Sequence, residues 1–155
     1  MKKIFSGLLL CFLLQHTVSA QTKQQAQRDF VKELNAVLKA SSTIHWAYTD
    51  RMTIDSAFAI SKNDILSVTV RYTNDSSFFR FRMEVPMNKI RNIIQDVYLV
   101  LECDQDAVKC FLSEKNSNTL VFSHNYNLFH TGELMDADYE TLERIKKIFD
   151  KIRRT

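Results

Sequence analysis

Apolar and polar positions follow two rhythms along this chain. Between Gln24 and Leu38 the apolar residues Phe30, Val31, Leu34, Val37 and Leu38 recur at the period of one helix face. The intervening positions are Gln, Arg, Asp, Lys, Glu and Asn, so the spacing predicts an amphipathic helix over about 24–40, laid on a core with its other side in water. From about Ile44 the period falls to two. Leu66, Val68, Val70 and Tyr72 alternate with Ser67, Thr69 and Arg71, and Phe79, Phe81, Met83 and Val85 alternate with Phe78, Arg80, Arg82 and Glu84. Further strands are expected at Trp46–Asp50, Ile54–Ile60, Val97–Cys103, Val108–Leu112 and Leu120–Ser123. The result is about seven strands over about 44–123, in a group of four and a group of three. Ile90, Ile93 and Ile94 suggest a helical turn or crossover over Asn88–Gln95 between the groups. The helical period returns in Leu142, Ile145, Ile148, Phe149 and Ile152, a closing amphipathic helix over about 137–153 with Asp136 or Asp138 as its cap. Its acidic start and basic end (Lys146, Lys147, Lys151, Arg153, Arg154) complement the helix dipole.

The turns between strands are built from Lys62-Asn63-Asp64, Asn74-Asp75-Ser76-Ser77, Asp104-Gln105-Asp106 and Asn116-Ser117-Asn118, because Asn and Asp tolerate left-handed backbone. Asp104 and Asp106 lack the further acidic positions and the glycine of a calcium loop and are read as turn residues. Pro86, the only proline, closes a strand where a ladder donor can be spared. A hairpin centred between Asp106 and Ala107 would set Cys103 opposite Cys110, at a separation a disulfide tolerates, and a bond between them is expected.

The front of the chain has the three regions of a secretory signal: Lys2 and Lys3, the apolar run Ile4–Leu14, and the small-residue exit Val18-Ser19-Ala20. Cleavage is expected after Ala20, leaving one α+β domain over 21–155 in a secreted or periplasmic setting, of bacterial type. The apolar run is about half the roughly 20 residues that span a bilayer, so no transmembrane segment is expected after its removal. Removing residues 1–20 takes Lys2 and Lys3 from 21 basic residues and none of the 18 acidic ones, so the charge falls from +3 to +1. That is too little for the basic footprint of a nucleic-acid binder.

Candidate chemistry is sparse. The mature chain's only glycine, Gly132, rules out the glycine-rich loops that cradle phosphate. His45, His124 and His130 form no zinc pattern, and nothing calls for a cofactor or a metal. Ser123, His124 and His130 cluster in sequence without the elbow or the three-group order that activates a serine. The most ligand-like stretch is His45-Trp46-Ala47-Tyr48-Thr49-Asp50, in which Trp46 and Tyr48 share a strand face that serves equally as core. Arg71, Arg80 and Arg82 share the polar face of two neighbouring strands. If Tyr72 pairs with Phe79, Arg71 falls opposite Arg80, which requires a carboxylate such as Asp55 or Glu84, or a bound anion, between them. Asn74-Asp75-Ser76 has the form of a glycosylation acceptor, relevant only in a glycosylating host.

The order of one helix, four strands, a crossover, three strands and a closing amphipathic helix resembles a pleckstrin-homology-like barrel from about Ile44 to Arg154. The resemblance lies in element order and implies a fold, not a ligand. The alternative is a curved antiparallel sheet packed on both helices. Two functional classes fit. One is an exported non-catalytic binding module for a protein or an anionic ligand, with Arg71, Arg80, Arg82, Trp46 and Tyr48 as candidate contacts. The other is a small extracytoplasmic hydrolase or ligand-processing protein using Ser123–His130, which requires its reactive groups to meet in one pocket.

Overall fold

The computed structural model describes residues 22–41, 51–96, 98–133 and 139–155. Helix α1 covers 22–40. The strands that follow are β1 (Arg51–Ile60), β2 (Ile65–Asn74), β3 (Ser77–Pro86), β4 (Ile90–Asp96), β5 (Tyr98–Cys103), β6 (Val108–Ser113), β7 (Leu120–Tyr126) and β8 (Leu128–Glu133), and helix α2 (Tyr139–Arg154) closes the chain. The fold is α+β, with an antiparallel β-rich core and a helix at each end. The strands form a five-stranded sheet in the order β1-β2-β3-β6-β7 and a three-stranded sheet in the order β4-β5-β8, not closed into a barrel.

The helices form where the apolar period places them. Ala26, Phe30, Leu34, Val37 and Leu38 of α1 and Leu142, Ile145, Phe149 and Ile152 of α2 are buried in one core with both sheets. The rings of Phe30 and Phe149 stand 5.6 Å apart, and Arg144 of α2 pairs with Glu33 of α1 at 3.0 Å. A second tie joins α1 to β1. The β1–β2 register shifts between Ser56 and Ala59, and such a bulge leaves strand backbone without ladder partners. Asn35 supplies them: its amide nitrogen donates to the Phe58 carbonyl at 3.0 Å, and its amide oxygen accepts from the Phe58 N–H at 2.8 Å.

Three of the expected turns contain the left-handed residues anticipated from their Asn and Asp content: Asp64, Asp106 and Asn116 have φ of 56°, 58° and 59°. The β2–β3 hairpin has Tyr72 opposite Phe79, the register in which Arg71 falls opposite Arg80.

Other expectations are corrected. Asn88–Gln95 is not a helical turn; only Met87–Lys89 form a short 3₁₀ segment, and β4 begins at Ile90. The misreading has a physical cause. The β4–β5 register shifts between Ile90 and Asn92, so Ile90 and Ile93, three apart like residues on a helix, are both buried in a strand. The last strand does not end at Ser123 but runs to Tyr126, and an eighth strand follows after Asn127. The four-plus-three grouping gives way to five plus three, because β6 returns to pair with β3 and carries β7 on its outer edge, while β5 pairs with β4 and β8. The proposed hairpin between Cys103 and Cys110 is therefore absent: Cys103 lies opposite Ile90 and Cys110 opposite Met83 and His124. Both cysteines are free thiols. The expected strand at Trp46–Asp50 and the caps Asp136 and Asp138 lie outside the described residues.

Candidate functional site

The face of the five-stranded sheet turned away from the core carries the three arginines. Arg71 is opposite Arg80, and the carboxylate of Asp55 on β1 stands between them. Arg71 grips it with Nε on Oδ1 at 3.0 Å and Nη2 on Oδ2 at 3.1 Å, and Arg80 Nε reaches Oδ2 at 2.5 Å. Burial alone would raise the Asp55 pKa, but hydrogen bonds from Arg71 and Arg80 and their charges hold it below the ordinary carboxylate value. Both guanidinium groups also bond Asn118, Arg71 to its side chain and Arg80 to its carbonyl. Arg82 pairs with Glu84 at 2.7 Å and donates to Thr69 Oγ1 at 3.2 Å. Arg71 further stacks on the Phe78 ring, 4.4 Å from its centroid. The structure brings the three arginines onto one face, and the chain's own acceptors engage all three. Trp46 and Tyr48 lie outside the described residues.

Ser123, His124 and His130 do not converge. Ser123 Oγ is 3.1 Å from His124 Nδ1, but the two are adjacent, exposed residues of edge strand β7, where the β6–β7 register shifts. His130 is in the other sheet, opposite Val100, with its ring 6.3 Å from Tyr98. Burial lowers its pKa, with the charge of Asp96 acting in the opposite sense. Among the described residues no group of three His, Cys, Asp or Glu side chains can hold a metal, and no helix is long and apolar enough to cross a membrane.

The thiols are poorly suited to reaction. Burial, then the charges of Asp104 and Glu102, push the Cys103 thiol up to about 12, and burial raises Cys110. Since the thiolate is the reactive form, alkylation of the folded chain by iodoacetamide at pH 8 should run roughly tenfold or more slower than alkylation of the unfolded chain. Equal rates would contradict the placement of Cys110 in the core and of Cys103 half-buried beside Asp104 and Glu102.

The shape of a ligand site occurs elsewhere, between the first turns of α1 and the end of β1. There an open cleft of about 740 Å³ is lined by residues 23–31 and 58–64 in part, a volume within the range typical of small-molecule sites. Its apolar surface comes from Val31, Phe58 and Ile60, of which Phe58 is buried and fixed by the clasp from Asn35. Its polar surface includes Lys23, Gln27, Arg28, Lys62 and Asp64. Asp64 accepts from Lys23 Nζ at 2.9 Å and from Gln27 Nε2 at 3.0 Å. Those hydrogen bonds lower its pKa, so it is ionised and partnered at neutral pH. Arg28 bonds the amide of Gln25, and among the described residues neither Arg28 nor Lys62 forms an ion pair.

Comparison with protein-family models, curated proteins and solved structures finds no match to this chain. The cleft residues escape a reading of the sequence because they come from two elements whose meeting depends on the β1 bulge. The one local signal is Phe58, a bulky apolar residue in a strand otherwise rich in small and polar side chains.

Proposed function

We propose that the chain is a small exported non-catalytic binding module and that the cleft between α1 and β1 is its ligand site. The observation that carries this reading is the cleft itself, an apolar floor with an ordered polar rim. Ser123, His124 and His130 offer no comparable convergence: the histidines belong to different sheets. Export is supported by the lysine-led apolar run and the Val18-Ser19-Ala20 exit.

Two measurements test the proposal. Intact-mass analysis of chain recovered outside the cytoplasm should give an N-terminus at Gln21, whereas material retaining Met1 would remove the export part. Titration of the isotope-labelled chain with a panel of small neutral, cationic and anionic organic probes should shift backbone resonances of residues 23–31 and 58–64 first. Shifts confined to Ser123–His130, or turnover of ester probes lost in Ser123→Ala, would favour the hydrolase reading instead.

A further inference from the structure

The composition of the cleft specifies more than a cavity. Its charged lining residues are three cations, Lys23, Arg28 and Lys62, and one carboxylate, Asp64. Asp64 is committed to Lys23 and Gln27, and its ionised form is the one that makes those bonds. Arg28 and Lys62 therefore supply the positive charge not offset within the cleft. A guanidinium presents a planar fork matched to a carboxylate or sulfate, and an ammonium adds a point charge. A compact anion would leave the apolar side of the cleft unused. That side is the half-buried Val31 and Ile60 over the buried Phe58, and covering the first two removes apolar surface from water.

We propose that the cleft binds an anionic amphiphile, a single carboxylate or sulfate head carried on an alkyl chain, with the head at Arg28 and Lys62 and the chain along Val31, Phe58 and Ile60. This assignment rests on the binding-module reading and names its ligand class. A cation is disfavoured by the sign of the rim, and a large polyanion by the size of the cleft and by its having two uncompensated cations, Arg28 and Lys62, among the described lining residues. The same head and tail occur on free fatty acids and on anionic lipids in a bilayer, and the two sources are separated by experiment.

Calorimetric titration of the purified chain with octanoate and decanoate, both below their micellar concentrations, is the test. Each added methylene should tighten binding about threefold to fourfold, and neutral octyl glucoside should bind at least about tenfold more weakly than the alkyl carboxylates. The double variant Arg28→Glu, Lys62→Glu alters exposed or half-exposed side chains and should keep its melting temperature while losing about tenfold or more in decanoate affinity, a loss that lessens with added salt. Arg28→Lys keeps the charge but loses the fork, so its affinity should fall between those of the parent and the double variant. Co-sedimentation with vesicles containing anionic phospholipid, without binding of free decanoate, would assign the same chemistry to a membrane lipid. Octyl glucoside binding as tightly as octanoate, acetate competing as well as decanoate, or unchanged affinity in the double variant would each overturn the inference. If neutral probes move the cleft resonances while alkyl anions do not, the ligand class fails and the binding-module reading stands. If no probe moves them, both fail.

Discussion

Replacing Phe30 with alanine should cost about 3–5 kcal/mol of folding stability, the range for removing a fully buried aromatic side chain and leaving a cavity. Phe30 has no exposed surface and contributes to the core shared by α1, α2 and both sheets. Its ring packs on Phe149, so truncation loosens the contact between the two helices as well as the seat of α1. Small domains hold about 5–15 kcal/mol in total, and a loss of this size should lower the melting temperature by about 10 °C or more. Denaturant unfolding monitored by circular dichroism gives the comparison, with Gln25→Ala on the exposed side of α1 as a near-neutral control. A loss below about 1 kcal/mol in Phe30→Ala would mean that α1 does not help to close the core.

The second large effect is expected at Asp55. Asp55→Asn keeps the size of the side chain but removes the charge between Arg71 and Arg80, which remain directly opposed. Removal of one partner from a buried pair costs several kcal/mol. Here the Arg71 and Arg80 side chains remain 30% and 22% exposed, and solvent screening reduces the expected cost to about 1–3 kcal/mol. Adding Arg80→Gln should recover part of the loss, since it removes one of the two like charges, and a double-mutant cycle measures that coupling. The pH dependence follows from the direction of the shift. A carboxyl whose folded pKa lies below its unfolded value stabilises the fold above the unfolded pKa, and the contribution disappears as pH falls toward the folded value. Asp55 and Asp64 both have lowered pKa values. The melting temperature of the parent chain should therefore fall between about pH 5 and pH 3, and Asp55→Asn should show a shallower fall. An equally steep acid limb in the variant would exclude Asp55 as a source.

Local periodicity made much of this fold readable. Phe30, Leu34 and Leu38 mark α1, Leu142, Ile145 and Phe149 mark α2, and the alternation in β2 and β3 sets a register that places Arg71 opposite Arg80. What escaped depends on departures from regular pairing. In β4 the bulge at Arg91 lets isoleucines three apart face the same way and mimics a helix. At Asn127 a single residue separates two strands of different sheets, with its carbonyl accepting from the Cys103 N–H at 2.8 Å, and no proline or glycine announces the break. The turn at Asp104–Ala107 has the composition of a hairpin turn, yet it carries the chain from one sheet to the other. Turn chemistry specifies a reversal of direction, but the sheet that the next strand joins is decided by which edges are free and which apolar faces remain uncovered. The cleft was illegible for a related reason, since Lys23, Arg28 and Lys62 become neighbours only through tertiary packing.

The interleaving of the two sheets also governs how the chain can be divided. The five-stranded sheet is assembled from Arg51–Pro86 and Val108–Tyr126, while the three-stranded sheet takes Ile90–Cys103 and Leu128–Glu133. No single cut therefore separates one sheet from the other. A protease that nicks the exposed Glu114–Asn116 stretch leaves β7, β8 and α2 on a fragment whose partners β6, β5 and β4 lie on the other. The clipped halves should remain associated until denaturant is added, and no truncation yields either sheet complete without strands of the other. Pairing β3 with β6 and β5 with β8 also requires closure of long loops before the sheets are complete, a topology that favours slow, concerted folding over assembly from independent pieces.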